Sequence, residues 1–445
     1  MHAFRYRDGK LYAEDVDLAR LTEEFGTPLY VYSAGTILDH YTRLDQALAA
    51  LDHLICYAVK ANANGAILKL LANAGAGFDI VSGGELFRAI KAGADPRKCT
   101  FAGVGKSGDE IEYALEQGVY SFNVESDAEL ELIDQIAGAK KMRAPIAVRA
   151  NPNVDPHTHQ YISTGSHENK FGISLDQLGA IYARAAKMPN IDIVGLQMHI
   201  GSQITEAEPF TAAINKLVAV VRQLKTEYGI KFFSIGGGMG IIYRRALESG
   251  SGKWWHEHGG EASAFTVQDY ASAILPPLRE LGIHVLVEPG RFLVGNAGVL
   301  LTRVRYLKQT GRKKFAIVDA GMNDLIRPAL YEAYHEIVPV REPGGTCSLP
   351  SQNVRDDTEV VPSETQKIDI VGPVCESGDF LALEREMPPL REGDLLAVMS
   401  TGAYGFVMAS NYNSRPLPAE ALVQGDTFRL IRKGQSWHDL IKEEC

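Results

Sequence analysis

From Ser33 onward, short apolar segments rich in β-branched and aromatic residues alternate with helical patterns. No other feature of the sequence narrows the fold so far. The segments fall at 54–59, 77–81, 99–102, 120–124, 146–150, 193–200, 232–236 and 284–288. Stretches with apolar residues three and four apart fit between them, at 84–92, 109–117, 127–137, 176–186, 209–227 and 267–281. This alternation predicts a parallel α/β arrangement. About eight segments is the number that closes a (β/α)8 TIM-type barrel. A lysine, Lys60, sits at the exit of the first segment, in the run Tyr57, Ala58, Val59, Lys60, Ala61, Asn62.

After about residue 292 the helical period fades, and 298–307, 314–318, 365–371, 395–399 and 427–431 read as strands of a β domain. The N-terminal segment reads as a strand over 5–12, a polar helix, the breaker Gly26, Thr27, Pro28, and an apolar stretch at 29–32. The expected division is a barrel over 30–291, with 1–29 and 292–445 making the β domain. Two irregular stretches, 248–261 and the loop 343–366, have no role assignable from sequence.

The chain has 445 residues, 45% of them apolar and 22% charged, which favours neither disorder nor a membrane class. A net charge of −10 without a basic tract argues against nucleic-acid or anionic-membrane partners, so any anion site must be local. Five cysteines, Cys56, Cys99, Cys347, Cys375 and Cys445, are scattered without metal or disulfide spacing. Reduced thiols and a cytoplasmic location are therefore expected. The first ten residues lack the apolar core of a signal peptide, and no run approaches about 18 apolar residues.

In a barrel the reactive groups gather at the C-terminal ends of the strands. Lys60, Asp79, Arg149, Asn151, His199, Gly236 to Gly238 and Glu288 all fall near such ends. Burial lowers the pKa of an amine and makes it nucleophilic, so Lys60 is a candidate for imine formation. Taken singly, a strand-end lysine is more often one that simply reaches solvent. Gly236, Gly237 and Gly238 offer unobstructed backbone amides for a phosphate, with Ser202 on the neighbouring loop; a plain tight turn is the competing explanation. Glu288, in Glu288, Pro289, Gly290, Arg291, could keep an aromatic nitrogen protonated, and His199 could lie flat against such a ring. A simple Glu288–Arg291 ion pair is the alternative. The pairs His157/His159 and His256/His258 read as solvated loop histidines, and no metal site is expected. Together the lysine, phosphate loop, histidine and carboxylate describe a site for pyridoxal 5'-phosphate.

With these residues in view, the sequence resembles the fold type III, alanine-racemase-like pyridoxal-phosphate decarboxylases over nearly its whole length. The matching stretches are 57–62, FDIVSGGE at 78–85, HIGSQ at 199–203, IGGGMG at 235–240, EPGR at 288–291, MNDLIRPALY at 322–331, GPVCESGD at 372–379 and 401–413. The resemblance implies that Lys60 carries the cofactor, His199 stacks on its ring and Glu288 holds the pyridine nitrogen. It implies further that Ser202 and Gly236 to Gly238 bind the phosphate, with Tyr404 reaching phosphate and substrate. Asp79 belongs to the same cofactor set. Arg291, Arg327 and Tyr331 match positions that hold the substrate's distal carboxylate, and Glu376 matches one that reads its distal amine.

Cys375 and Glu376 would complete the site of a neighbouring subunit in a homodimer, and the loop 153–170 would cover the site. The implied reaction is loss of CO2 from meso-diaminopimelate to give L-lysine, with either Cys375 or Lys60 as proton donor. The rivals are a sister decarboxylase acting on ornithine, arginine or a carboxylated polyamine, and a catalytically dead homologue. Arg327 argues against the first, because a diamine-forming enzyme has no distal carboxylate to bind. The retained cofactor residues argue against the second. An alanine racemase would lack the run Cys375, Glu376, Ser377, Gly378, Asp379.

Overall fold

The computed structural model of the chain describes residues 2–155, 170–258, 265–342 and 365–445. Most of the loop 153–170, with His157 and His159, and nearly all of 343–366 lie outside those residues. The chain divides into two compact units. One comprises Ile37–Ile242 and Trp255–Gly295, the other the described residues of Met1–Thr36, Tyr243–Trp254 and Asn296–Cys445.

The first unit is the barrel. Its eight strands are His53–Ala58, Gly77–Ile80, Cys99–Phe101, Ser121–Val124, Ala144–Asn151, Ile191–Met198, Phe232–Ser234 and His284–Val287. Every neighbouring pair is parallel. The ring closes where Val285 of the eighth strand pairs with His53 of the first. Both faces of such a strand are buried, which explains the near-continuous apolar runs in the sequence. Inside, Cys56, Ala147, Phe232 and Leu286 pack as one cluster. A side chain at Gly195 would run into the Phe232 ring, so this glycine makes room for it.

The helices that follow the second, third and fourth strands start alike. Ser82, Ser107 and Ser126 each accept the backbone N–H of the glutamate three residues on, Glu85, Glu110 and Glu129. Such caps satisfy orphan donors of the first turn and are worth about 1 kcal/mol each. They stop each strand and start each helix within a few residues, which sets where the strand-end side chains emerge.

The second unit is mainly β. Its large sheet runs in the order Phe380–Met387, Gln366–Val371, Lys313–Val318, Gly298–Thr310, Leu29–Ser33, Ala419–Gln424, Thr427–Arg432, with Leu395–Val398 also paired to Gly298–Thr310. Leu29–Ser33 lies between Gly298–Thr310 and Ala419–Gln424, so an N-terminal strand is central to it. Leu11, Val31, Val299, Leu301, Ala397 and Ala421 belong to its core. The expected strand 5–12 is instead a hairpin, Phe4–Arg7 against Lys10–Ala13, followed by Val16–Asp17. Asp8 and Gly9 both adopt positive φ, the conformation that a two-residue hairpin turn demands. His256 and His258 lie on a short helix, Gly252–His258, not in a loop.

Candidate active site

The first barrel strand ends at Ala58, and a 3-10 turn, Val59–Ala61, carries Lys60. Two contacts fix this turn. The Tyr57 hydroxyl donates to the Asn62 carbonyl at 2.9 Å, and the Ala58 N–H donates to the Pro289 carbonyl at 3.0 Å. Gly290 packs so closely that a Cβ there would stand 3.0 Å from the Ala61 Cβ. The glycine of Glu288, Pro289, Gly290, Arg291 thus lets that segment lie against the lysine turn. Lys60 Nζ donates to Asp79 Oδ2 at 2.5 Å; the lysine side chain is 37% exposed and the aspartate 2%. The other carboxylate oxygen of Asp79 is buried without a hydrogen-bond partner among the described residues.

Glu288 follows the eighth strand and is buried. It accepts hydrogen bonds from Gln197 Nε2 at 3.0 Å and Ser234 Oγ at 2.6 Å, side chains of the sixth and seventh strands. Burial pushes its pKa up to about 7, the Asp79 charge adds to this, and the Ser234 bond and the Lys60 charge oppose it. Glu85, from the helix after the second strand, is likewise raised to about 7 by burial, with Lys60 opposing.

His199 follows the sixth strand. The Gly237 N–H donates to its Nδ1 at 3.2 Å, so in the neutral ring the proton resides on Nε2. Burial, then the charges of Arg149 and Lys60, hold its pKa well below the ordinary value, so the ring is neutral at pH 7. The Gly236 N–H is directed at Ser234 Oγ. Two of the three glycine amides are therefore already engaged within the protein. The glycines have a packing reason as well: a Cβ at Gly236, Gly237 or Gly238 would meet the carbonyl oxygens of Met198, Glu288 and Gly201 respectively. Gly236 and Gly238 also adopt φ of 72° and 110°, which other residues rarely do. On the adjoining loop Ser202 Oγ accepts from Arg291 Nη2 at 3.1 Å, so Arg291 brings a positive charge to the hydroxyl expected to meet phosphate. Glu288 makes its bonds to Gln197 and Ser234, and no Glu288–Arg291 ion pair is needed to account for it.

The remaining expected residues belong to the β unit. Arg327 and Tyr331 are the first and last residues of the short helix Arg327–Tyr331, four apart and so on one face. Cys375 and Glu376 are exposed on a loop anchored by Asp379, whose carboxylate accepts the N–H groups of Met322 and Val374, each at 2.6 Å. The Cys375 N–H donates to Asn413 Oδ1 at 2.8 Å. Tyr404 stands at φ 56°, with Ser400 at 57° four residues earlier. Two non-glycine residues in the left-handed region cost about 1–2 kcal/mol each, and such strain concentrates at functional sites.

The residues present fit pyridoxal 5'-phosphate. A lysine reaches the site from a strand end, a buried carboxylate is held by neutral donors, and one Asp79 oxygen has no hydrogen-bond partner among the described residues. Residues 34–295 match the pyridoxal-binding domain of the pyridoxal-dependent decarboxylases. The chain belongs to that family. It is 47% identical over 445 residues to the diaminopimelate decarboxylase of Pseudomonas aeruginosa, covering 100% of this chain and 99% of that one. Among solved structures it resembles the Helicobacter pylori diaminopimelate decarboxylase complexed with L-lysine, at TM-score 0.85 and 39% identity over 96% of this chain and 99% of that one. The M. jannaschii diaminopimelate decarboxylase in co-complex with L-lysine matches at TM-score 0.87 and 36% identity, over 100% and 99% of the two chains.

The structure of this decarboxylase brings Lys60, Asp79, His199, Ser202, Gly236 to Gly238, Glu288 and Arg291 into the barrel unit. Sequence reasoning missed the residues that hold them. Gln197 and Ser234 could have been suspected as polar residues inside apolar strands. A further buried network was not visible in the sequence. Glu125 accepts from Arg149 Nη1 at 3.0 Å and from the N–H groups of Gly103 and Gly172, while Glu129 accepts from Lys106 Nζ at 2.6 Å and from the Glu125 N–H. Arg149, which acts on His199 through its charge, is thereby fixed by Glu125 and by the Phe171 ring 4.7 Å away. Among the described residues no group of three or more His, Cys, Asp or Glu could hold a metal ion, and no helix is long and apolar enough to cross a membrane.

Proposed function

We propose that the chain decarboxylates meso-diaminopimelate to L-lysine and CO2 with pyridoxal 5'-phosphate. The observation that carries this reading is the full-length likeness to diaminopimelate decarboxylases, with the lysine, histidine and carboxylate of a pyridoxal site at the ends of the barrel strands. When bound, the cofactor supplies an electron sink for the pair left on carbon as CO2 departs.

The chain's own residues do the rest. Lys60 Nζ is the amine that would bind the cofactor aldehyde, and Asp79 accepts a hydrogen bond from it at 2.5 Å. His199, kept neutral, would offer a flat uncharged face to the ring. Glu288 is assigned to the ring nitrogen, which it would keep protonated, and the Gln197 and Ser234 bonds stabilise its ionised form. Ser202 and Gly236 to Gly238, with Tyr404, are assigned to the phosphate. Arg291, Arg327 and Tyr331 are assigned to the substrate's distal carboxylate, and Glu376 to its distal amine.

Proton return to carbon is assigned to Cys375 or Lys60. The exposure of Cys375 and Glu376 supports a role in a partner subunit's site, and hence a homodimer with shared sites. A cytoplasmic location belongs to the same reading, supported by free thiols at all four described cysteines. The test is Lys60→Ala, which should lose both the near-visible absorbance of bound cofactor and all turnover. A Lys60→Ala protein that still released CO2 would end this reading.

A further inference from the structure

Arg327 is 6% exposed, and its Nε donates to an imidazole. His335, 0% exposed, lies with Nδ1 2.8 Å from the Met399 carbonyl oxygen and Nε2 3.4 Å from Arg327 Nε. A carbonyl only accepts, so Nδ1 carries the proton. A guanidinium only donates, so Nε2 must be the bare acceptor. One tautomer of the neutral ring satisfies both bonds at once, and the Met399 N–H in turn donates to the Glu336 carbonyl at 2.8 Å, which fixes that carbonyl's strand. The Tyr243 ring covers the guanidinium at 5.2 Å and meets the imidazole edge-on, with centroids 5.1 Å apart at 82°. His335 and Tyr243 orient Arg327 through a hydrogen bond and a ring face, whereas Arg149 is held by the carboxylate of Glu125.

We propose that His335 is a positioning residue for the substrate's distal carboxylate. By accepting from Nε of Arg327 it sets the plane of the guanidinium, so that the terminal nitrogens present one fork geometry to a carboxylate. Tyr243 closes the other side. The inference rests on the reading of Arg327 as the carboxylate receptor.

Two isosteres separate the bonds. His335→Asn keeps a donor for the Met399 carbonyl and removes the acceptor for Arg327; His335→Gln places an amide oxygen where Nε2 lies. The cofactor-loaded enzyme is assayed for KM and kcat with meso-diaminopimelate. It is also titrated calorimetrically with L-lysine and with cadaverine, which is L-lysine without its carboxylate. His335→Asn should raise KM and the L-lysine Kd by about tenfold to a hundredfold, the worth of a charged hydrogen bond. It should leave kcat within about twofold and cadaverine binding unchanged. His335→Gln should recover most of the loss.

If His335→Asn leaves KM and the L-lysine Kd unchanged while Arg327→Ala raises both, the role of His335 is overturned and that of Arg327 stands. If Arg327→Ala also leaves L-lysine binding unchanged, the reading of Arg327 falls with it. Should His335→Asn fail to fold, Tyr243→Leu at a half-buried position carries the test. Weaker L-lysine with unaltered cadaverine supports the cage, and equal loss of both ligands overturns it.

Discussion

Glu288 is the residue at which stability and chemistry pull in opposite directions, and Glu288→Gln exposes the conflict. In the cofactor-free protein burial raises its pKa from the ordinary 4.5 to about 7. The folded protein therefore binds this proton more tightly than the unfolded chain, and stability is lost as pH rises from 4.5 through about 7. At about 1.36 kcal/mol per pKa unit, the rise corresponds to a penalty of about 3 kcal/mol at pH 8. An amide carries no such penalty. It also keeps its partners, because Ser234 still donates to the amide oxygen, and Gln197, whose buried Oε1 has no partner among the described residues, can turn over to accept from the new NH2.

Urea unfolding of cofactor-free protein should thus show Glu288→Gln more stable than wild type. The advantage should grow by about 2–3 kcal/mol between about pH 5 and about pH 8. In the loaded enzyme the same substitution removes the carboxylate that stabilises charge on the ring nitrogen, and turnover should fall by about a hundredfold to a thousandfold. A stability difference that is flat with pH, or a variant that turns over at the wild-type rate, would refute the assignment of Glu288 as a buried, functionally ionised carboxylate.

Other substitutions probe different parts of the account. Arg149→Met leaves Glu125 without its cation and should destabilise the protein by about 3–5 kcal/mol in urea melts, with the double variant Glu125→Gln, Arg149→Met recovering part of the loss. The same change removes a charge that depresses the His199 pKa, so the pKa read by NMR should rise. Lys60→Ala and Cys375→Ala are each expected to be inactive or severely impaired. If active sites are shared between subunits, mixing and re-assembling the two should restore turnover; mixtures no better than their parts would place Cys375 and Lys60 in the same subunit's site.

Much of the barrel was legible because its signal is redundant. The strands are largely buried, most are followed by a helix with apolar residues three and four apart, and three of the helices are announced by a serine three residues before a glutamate. The strand ends therefore fell within a few residues of the observed ones, and with them Lys60, Asp79, His199 and Glu288. The β unit was less legible. Phe380–Met387 and Ala419–Gln424 were missed as strands, since FLALEREM and AEALVQ are rich in helix-favouring Ala, Leu and Glu. Pairing with Gln366–Val371 and Leu29–Ser33 overrides that preference. The hairpin at Asp8 and Gly9 did carry a signal, since an Asp-Gly pair between two short β-prone runs is a favoured two-residue turn, and the strand reading over 5–12 passed over it.

Within the site, residues that carry chemistry were recognisable by type and position, whereas those that hold them were not. Gln197, Ser234, Glu125 and His335 act through partners distant in sequence, as in the contact of Gln197 with Glu288 or of His335 with Met399. Spacing cannot reveal such pairs. The glycine run shows the converse: its pattern suggested phosphate amides, but its close approach to three carbonyl oxygens also accounts for the absence of side chains there.

The central claim is the identity of the substrate, and an amino-acid decarboxylation panel with added pyridoxal 5'-phosphate tests it most directly. The account predicts CO2 release and L-lysine from meso-diaminopimelate, and no comparable release from ornithine, arginine or lysine. Release from ornithine or arginine with none from meso-diaminopimelate would contradict it.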